Sequence, residues 1–292
     1  MIVVPGSINL DLIARVERLP APGETVRGPS FVTAPGGKGA NQALAARRAG
    51  AEVAMIGAVG ADAQADGALE LLRGGGVDLS RVKTVADIST GVALIMVDHL
   101  KGENVIAVVA GANGRVAPAD VTARKPETGD IVLLQMEIPA ETVSAALRHA
   151  GATSVLNIAP YTDDVPALAP LADIVVANET EFDLMAAAMR LPGDDRAARM
   201  RAFVEKSGNA LVVTLGPDGA VALTGDGEFR AAAPVIETVD TVGAGDTFCG
   251  YLAAGLAEGM AWPDALDLAV RAGAATCLKP GAQPAIPYRS EL

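Results

Sequence analysis

The residue that most clearly carries chemistry is Asp246, which ends a loop of small residues running Val239-Asp240-Thr241-Val242-Gly243-Ala244-Gly245-Asp246. Gly243 and Gly245 allow the backbone to turn tightly and to approach a ligand closely. The apolar residues that follow recur at helical spacing, so the loop leads into a helix whose first N–H groups attract phosphate. A carboxylate there repels phosphate, which indicates that Asp246 is a base that takes a proton from an attacking hydroxyl. Taken alone, the segment leaves open that Asp246 only caps the helix.

A second glycine cluster, Pro35-Gly36-Gly37-Lys38-Gly39-Ala40-Asn41-Gln42, precedes another helical stretch. It is not a Walker A loop, because Lys38 is followed by Gly39 and not by a hydroxyl residue. It is not a dinucleotide fingerprint either, because its glycine spacing differs. What it offers is a flexible backbone with one cation and one amide, groups that can hydrogen-bond a polyol. A plain glycine-rich turn is the alternative.

Two further polar segments follow expected strands. Asn9 and Asp11 lie two residues apart after the first strand, so in an extended segment they face the same side and can hold adjacent hydroxyls, although turn residues of these types are often structural. Asn178 and Glu181 follow a later strand, and their oxygens suit a hydrated magnesium ion. Their spacing is also that of a helix capping box, and the two roles are compatible.

Composition limits the classes of function. The 292 residues carry a formal net charge of -12, which argues against a broad nucleic-acid-binding surface. An acidic protein that handles phosphate must borrow cations, so we expect a metal ion. No run approaches the roughly 18 apolar residues of a membrane span, and the first residues lack the layout of a secretory signal. The spacing of Cys249 and Cys277 suits neither a disulfide scaffold nor a metal-binding pair, and we expect a cytoplasmic location.

The order of elements predicts an α/β fold. Apolar strand-like runs alternate with amphipathic stretches, which indicates a mainly parallel sheet flanked by helices. The helical stretches predicted in this way include Ala140 to Ala150 and Thr247 to Glu258. The segments 11–33 and 90–110 break this pattern with short strands and turns, one of them predicted at 99–102. They are expected to form a small sheet apart from the main body, such as a lid, and ordinary surface excursions are the alternative. His99, in that turn, and His149, near a helix end, offer no convincing site.

Taken together, the motifs resemble the ribokinase family of carbohydrate kinases. The matching segments are Gly6-Ser7-Ile8-Asn9, Pro22-Gly23-Glu24-Thr25, Gly36-Gly37-Lys38-Gly39-Ala40-Asn41, Asn178-Glu179-Thr180-Glu181 and Asp240-Thr241-Val242-Gly243-Ala244-Gly245-Asp246, and they keep the family's order from end to end. The resemblance implies one domain over 1–292 with a three-layer α/β core and a β lid that also forms a homodimer contact. It implies transfer of the ATP γ-phosphoryl group to the terminal hydroxyl of a pentose, with ribose as the first expectation.

The resemblance also implies roles for individual residues. Asp246 would be the base, and the backbone of Gly243, Ala244 and Gly245 would form the anion hole. The sugar would be held by Asn9, Asp11, Gly37, Lys38, Asn41 and Glu137. Asn178 and Glu181 would bear on the phosphates and hydrated Mg²⁺, and the nucleotide site would be lined by Thr214, Gly216 and Gly219. A potassium ion would be bound by Asp240 and Val242 with the region containing Thr276, Lys279 and Gly281, partly through carbonyl oxygens.

Two departures bear on these expectations. Ala285 stands where members of the family commonly offer a hydroxyl near the monovalent ion, and Val270 stands where relatives often carry a larger polar ring near the adenine. The other acceptors considered are 2-deoxyribose, a nucleoside or another sugar. A non-catalytic sugar-binding regulator is a remoter alternative, because binding alone would not require base, anion loop and acidic motif together.

Overall fold

A computed structural model describes residues 1–98, 104–123, 126–149 and 151–292. The strands are β1 (Ile2–Pro5), β2 (Asn9–Val16), β3 (Ser30–Gly36), β4 (Val53–Gly60), β5 (Asp78–Val85), β6 (Gly91–Asp98), β7 (Asn104–Val109), β8 (Ile131–Leu134), β9 (Thr153–Asn157), β10 (Ile174–Asn178), β11 (Ala210–Thr214), β12 (Ala220–Thr224) and β13 (Gly227–Ala231). The helices are α1 (Lys38–Arg48), α2 (Gln64–Gly75), α3 (Pro118–Thr122), α4 (Ala140–Leu147), α5 (Val165–Leu168), α6 (Glu179–Ala188), α7 (Arg196–Ser207), α8 (Ala244–Ala257) and α9 (Trp262–Thr276).

The large sheet has the strand order β13-β12-β11-β10-β9-β8-β1-β4-β5. The strands β11, β10, β9, β8, β1, β4 and β5 are parallel to one another. At the other edge, β12 is antiparallel to β11 and β13 is antiparallel to β12. All eight residues of β4 are buried, because helices cover both faces of a parallel sheet. The carboxyl ends of the parallel strands therefore meet at one edge of the sheet, where open α/β folds bind ligands.

Alternate residues of the central strands face different helix layers. Ile2 and Val4 pack with the cluster formed by α1, α2, α8 and α9, while Val3 packs with the cluster on the opposite side. The alternation follows from the two-residue repeat of a strand. The molecule thus has three layers, and the α/β prediction with a central, mainly parallel sheet is confirmed.

The small sheet has the order β3-β2-β6-β7, with β2 and β6 parallel and the outer strands antiparallel to them. Its strands fall in the two predicted segments, 11–33 and 90–110, except at two ends. Strand β2 begins earlier, at Asn9, and β3 continues further, to Gly36. The turn predicted at 99–102, with His99, lies outside the described residues. The small sheet is confirmed, and its service as a lid stays a prediction.

Two helix boundaries differ from the sequence expectation. Helix α8 begins at Ala244 and not at Thr247, which places Asp246 inside its first turn. Helix α4 ends at Leu147, earlier than the predicted end at residue 150, a residue outside the described part. Among the described residues, none of the helices has the length and apolar character needed to span a membrane. The cytoplasmic location stays a prediction.

Candidate active site

Asp246 lies in the first turn of α8 with its side chain buried. Helix α8 is preceded by Gly243, whose φ of 79° falls in the left-handed region that favours glycine. A methyl group at Gly243 would also meet Ala282 at 2.9 Å, whereas one at Gly245 would meet nothing within 4 Å. The N–H of Ala244 donates to the carbonyl of Thr241 at 3.3 Å, so among the described residues the N–H groups of Gly245 and Asp246 are those left without a carbonyl acceptor at this helix start. Such a helix start binds anions.

Both carboxylate oxygens of Asp246 accept hydrogen bonds from α1. Asn41 Nδ2 donates to Oδ2 at 2.8 Å, and Gln42 Nε2 donates to Oδ1 at 3.0 Å. The glycine cluster and the Asp246 loop, about 200 residues apart, thus meet through two adjacent amides. The side-chain oxygen of Asn41 is buried without a partner among the described residues, so it is available to a ligand hydroxyl.

Glu137 lies after β8, at the same edge of the sheet. Its Oε2 accepts hydrogen bonds from Ser7 Oγ at 2.5 Å and from the main-chain N–H of Lys38 at 3.0 Å. Helix α1 therefore begins against Glu137, and the Lys38 side chain lines the cavity that contains Asp246. The nearby Asp246 and Glu137 carboxylates raise the pKa of the Lys38 ammonium, which keeps it charged although burial opposes this.

Asn9 and Asp11 begin β2. Asn9 is buried, and its Oδ1 accepts a hydrogen bond from Asn113 Nδ2 at 2.7 Å. Asp11 packs against Gly36, where a methyl group would lie 2.5 Å from the carboxylate oxygens. Burial, and then repulsion from Glu137 and Asp246, raise the pKa of Asp11 to about 7.

A cavity of about 400 Å³ joins these groups to the small sheet. Its polar lining includes Ser7, Asn9, Asn113 and Glu137, and Val108 and Ala110 close it from the side of β7. Polar groups converging in a concave, otherwise apolar site are typical of small-molecule binding. The size and the polar groups fit a sugar.

Asn178 and Glu181 form the capping box of α6. Asn178 Oδ1 accepts from the N–H of Glu181 at 2.8 Å, and Glu181 Oε2 accepts from the N–H of Asn178 at 3.0 Å. Both residues nevertheless line the same cavity as Asp246, Lys38 and Gly245, which has a volume of about 210 Å³. The capping interpretation is therefore correct, and it leaves Glu181 Oε1 free to face a ligand in that cavity.

A third cavity, of about 450 Å³, lies on the other side of the Asp246 loop. It is mostly apolar, and it is lined by Thr214, Gly216, Pro217, Gly219, Ala233, Pro234, Val235, Ile236, Thr238, Thr241, Ala244, Gly245, Phe248, Val270, Gly273, Ala274 and Cys277. The three residues expected at the nucleotide site are among them, as is Val270. Because Thr241 and Gly245 also line the cavity of Asp246, the two spaces are continuous.

Asp240 ties the Asp246 loop to the segment after α9. Its Oδ1 accepts from the N–H of Val242 at 3.0 Å, and its Oδ2 accepts from the N–H of Gly281 at 2.8 Å. Thr276 and Lys279 were also expected at the potassium site, but their side chains have other partners. The Thr276 hydroxyl donates to Thr247 Oγ1 at 2.9 Å, and the Lys279 ammonium pairs with Glu291 at 3.6 Å.

Three residues behind Asp246 received no role from the sequence. Gln42, Gln135 and Asn157 are buried and joined by amide hydrogen bonds, with Gln42 touching Asp246. Ser7 and Asn113, which hold Glu137 and Asn9, were also missed. Ser7 occurs within a segment that carries the family resemblance and Gln42 directly follows another, which is the signal that could have identified them.

The arrangement defines a phosphotransferase acting on a polyol: a buried carboxylate stands at an anion-binding helix start, in a cavity that adjoins the apolar one, and Lys38 of the same cavity is hydrogen-bonded to Glu137 of the sugar-sized cavity. Comparison with known proteins agrees. The pfkB family carbohydrate kinase model matches residues 1–289, so the chain belongs to the pfkB family of carbohydrate kinases.

The similar proteins are sugar kinases. The chain is 39% identical to a ribokinase of Lactococcus lactis, covering 99% of the chain and 94% of the relative, and 36% identical to a ribokinase of Schizosaccharomyces pombe, covering 100% and 96%. It is also 36% identical to a deoxyribokinase of Salmonella typhi, covering 86% and 84%. The prediction of a carbohydrate kinase of this family is confirmed.

Solved structures agree with the fold. Ribokinase from Thermotoga maritima matches with a TM-score of 0.92 at 28% identity, over 99% of this chain and 97% of the other. Ribokinase from Arabidopsis thaliana, in a complex with ribose and ATP, matches with a TM-score of 0.85 at 31% identity, over 99% and 96%.

Proposed function

We propose that the protein is an ATP-dependent kinase that transfers the γ-phosphoryl group to the 5-hydroxyl of D-ribose, giving D-ribose 5-phosphate and ADP. The observation that carries the proposal is the position of Asp246. It lies in a cavity that shares Thr241 and Gly245 with the nucleotide-sized cavity, and Lys38 on the wall of the same cavity donates its main-chain N–H to Glu137, which lines the sugar-sized cavity. Ribose as the acceptor is supported by the ribokinases at 36% and 39% identity and by the ribose and ATP bound to the Arabidopsis enzyme.

In this mechanism Asp246 accepts the proton of the 5-hydroxyl while that oxygen attacks the γ-phosphorus. A bond forms between the sugar oxygen and phosphorus, the bond to the β-phosphate oxygen breaks, and ADP leaves. The N–H groups at the start of α8, around Gly245, stabilise the charge on the phosphoryl oxygens in transfer. The Lys38 ammonium lines the same cavity and adds a positive charge. Positioning and charge stabilisation supply most of the rate enhancement in phosphoryl transfer.

The sugar site would use the polar groups around Glu137. Asn41 Oδ1 is a buried acceptor without a partner among the described residues, and a sugar hydroxyl would satisfy it. Asn9 and Asp11 would bind further hydroxyls from the side of the small sheet, and Gly37 and Lys38 would close the opposite side. Val108 and Ala110 of the small sheet border this cavity, which supports a lid that excludes water from the reaction.

A magnesium ion fits the cavity of Asp246 as a companion of the nucleotide. Mg²⁺ usually keeps several waters and binds through one or two carboxylates plus substrate phosphates. Glu181 has one oxygen not engaged in the capping box, and Asn178 lies beside it. When bound, Mg²⁺ would neutralise phosphate charge. Glu181 would hold it through water and Asn178 would contact the phosphates.

A potassium ion fits the loop around Asp240, because the groups that could coordinate it there are all oxygen atoms. Asp240 would provide a carboxylate, and Val242 and Gly281 would provide carbonyls close to it. Thr276 and Lys279 would contribute only carbonyl oxygens, since their side chains are engaged elsewhere. The ion would stiffen the loop that carries the anion hole.

The small sheet supports a homodimer. Apolar side chains about half exposed or more lie on both of its faces: the strand pairing places Phe31, Leu94, Val105 and Val109 on one face and Val32, Ile106 and Val108 on the other. Exposed apolar patches of this kind mark an interaction surface. A second copy of the chain would cover one of them through the same sheet.

The test measures ADP release with Mg²⁺ and ATP on D-ribose, 2-deoxy-D-ribose, D-fructose and adenosine, with and without K⁺. We expect D-ribose to give the highest kcat/KM and phosphorus NMR to place the phosphate on O5. The Asp246→Asn variant should lose roughly 10² to 10⁴ in kcat, the usual scale for removing a general base. A fully active Asp246→Asn enzyme would contradict the mechanism.

The main alternative acceptor is 2-deoxy-D-ribose. The deoxyribokinase relative is as similar as one of the ribokinases, at 36% identity, although over less of the chain. The same assay decides, since a higher kcat/KM for 2-deoxyribose would replace ribose and leave the phosphoryl-transfer mechanism intact.

A further inference from the structure

Three buried amides form a chain of hydrogen bonds behind Asp246. Gln135 Nε2 donates to Gln42 Oε1 at 2.8 Å, and Gln42 Nε2 donates to Asn157 Oδ1 at 3.1 Å as well as to Asp246 Oδ1 at 3.0 Å. Gln135 and Asn157 lie at the carboxyl ends of β8 and β9, and Gln42 is on α1. The network therefore joins two strands and two helices at the position of the base.

Main-chain carbonyls fix the orientation of each amide. Gln135 Nε2 also donates to the carbonyl of Leu133 at 3.3 Å, and Asn157 Nδ2 donates to the carbonyl of Val176 at 3.2 Å. A carbonyl only accepts, so each terminal amide must turn its NH₂ group toward it. Asn157 then presents its oxygen to Gln42, and Gln135 presents its NH₂ group.

Gln42 consequently has one favourable orientation. Its oxygen must face the donor on Gln135, and its NH₂ group must face the acceptor on Asn157. The second hydrogen of that NH₂ group points at Asp246 Oδ1. If Gln42 were flipped, its oxygen would face two acceptors, and Gln135 would face a donor.

We propose that Gln42 is a positioning residue for phosphoryl transfer: it holds Oδ1 of Asp246, and the anchored amides of Gln135 and Asn157 keep it in the donating orientation. The proposal rests on the function of Asp246 as the base. With Oδ1 held by Gln42 and Oδ2 by Asn41, the carboxylate has a defined plane, and its remaining lone pairs face the cavity at a fixed angle. A hydrogen bond to the carboxylate also favours its charged form, which is the form that accepts a proton.

Gln42 and Gln135 have no exposed surface, and amides buried at such sites cost desolvation that apolar side chains of the same shape avoid. One amide oxygen, Gln135 Oε1, has no partner among the described residues. The network stabilises the fold no better than apolar side chains would, and one of its hydrogen bonds is made to Asp246, the proposed base. These two features together indicate a function in catalysis.

The decisive variants are Gln42→Met and Gln135→Met, which keep the approximate volume and remove the amide. Ser154→Ala is the matched control, since it removes a buried hydrogen bond to Asp173 at the opposite end of β9. Gln42→Met should lower kcat about 10- to 100-fold, the effect of losing one hydrogen bond to a charged group, with the sugar and ATP KM values within about threefold. Gln135→Met should cause a smaller loss, and Ser154→Ala should leave kcat unchanged.

The pH dependence of kcat supplies a readout that packing defects do not move. In Gln42→Met the acid limb of this profile should move to higher pH, because the charged carboxylate loses a donor. The other titratable groups near Asp246 are Lys38, Glu137, Asp11, Cys249 and Glu181. Among the described residues the hydrogen bonds of the Gln42 side chain join it to Gln135, Asn157 and Asp246 and to none of these groups, so the variant changes the pH profile through Asp246.

A double variant separates positioning from structural damage. In the Asp246→Asn background, Gln42→Met should change the residual kcat less than threefold, since its function passes through the carboxylate. A persistent 10- to 100-fold loss in that background would overturn the proposal, as would a Gln42→Met enzyme with unaltered kcat and pH profile. A fully active Asp246→Asn enzyme would instead reject the base itself, so the two failures are distinguishable. If Gln42→Met does not fold, the Gln135→Met pH profile decides in the same way.

Discussion

Sugar binding should depend on pH through Asp11. Burial and the neighbouring Glu137 and Asp246 carboxylates raise the pKa of Asp11 to about 7, so about half of the sugar-free molecules carry a proton on it at neutral pH. If the charged carboxylate is the form that accepts sugar hydroxyls, the apparent Kd is multiplied by 1 + 10^(pKa − pH). This factor is about 11 at pH 6, about 2 at pH 7 and about 1.1 at pH 8. Ribose should therefore bind about tenfold more tightly at pH 8 than at pH 6.

Isothermal titration calorimetry with ribose and no nucleotide measures this directly. At pH 7 each binding event should release about half a proton, which appears as a difference in heat between buffers of different ionisation enthalpy. Asp11→Asn is the control, because it keeps the shape and cannot titrate; its affinity should be weaker and independent of pH. Equal affinities at pH 6 and 8 in the unaltered protein, or the same slope in Asp11→Asn, would refute the reasoning.

The same group should affect folding stability in the opposite direction. The pKa of Asp11 is higher in the folded protein than its ordinary value of 3.8, so the folded state binds the proton more tightly than the unfolded chain. The resulting stability is present at low pH and is lost as the pH rises through about 7. Lowering the pH from 8 to 6 should thus stabilise the sugar-free protein by about 1.4 kcal/mol relative to Asp11→Asn, a difference measurable by denaturant titration at each pH.

Outcomes are expected for five further variants. Gly245→Ala should lower kcat about tenfold or more with Tm unchanged, because it keeps its N–H but its methyl enters the open space at the helix start where the phosphoryl group would bind. Gly243→Ala should also reduce the free energy of unfolding by about 1–3 kcal/mol, because φ is 79° and Ala282 is 2.9 Å away, and calorimetry separates the two variants. Asp240→Asn should reduce activation by K⁺ in the ADP assay. Asn9→Ala should raise the ribose KM, and an unchanged KM would remove Asn9 from the sugar site. Ile106→Asp, on the face of the small sheet that also carries Val32 and Val108, should give a monomer in light scattering, whereas a persistent dimer would exclude that face.

Much of the fold could be predicted because buried parallel strands consist of continuous runs of apolar residues, which are visible in the sequence. The β4 segment is an example, with all residues buried and helical stretches on both sides. The sequence interpretation passed over β5, which lies at the sheet edge and carries Asp78, Arg81 and Lys83. It also missed α7, although Asp195 caps its start and Gly208 ends it in a left-handed conformation. An edge strand and a mostly polar helix lack the periodicity on which such predictions depend.

The site could be predicted where residues that act together lie close together in one segment of the sequence. Asp246 stands beside its glycines, and Asn178 stands three residues before Glu181. The start of α8 was placed three residues late because glycines have low helix propensity, and only the tertiary structure shows them in the first turn. Gln135 and Asn157 lie 93 and 115 residues from Gln42, and single amides at that distance form no pattern along the chain.

The three carboxylates near the proposed sugar site differ in the donors that the protein supplies. Asp246 receives two amide hydrogen bonds, from Asn41 and Gln42, and Glu137 receives two from Ser7 and the Lys38 main chain. Among the described residues no donor reaches Asp11, and burial together with the two neighbouring carboxylates raises its pKa to about 7. Differences of this kind in the surroundings of neighbouring acids divide their functions. In the proposed mechanism the two satisfied carboxylates are held in place for catalysis and orientation. Asp11 then has its hydrogen-bonding capacity left for the sugar, whose hydroxyls would supply the donors that the protein does not.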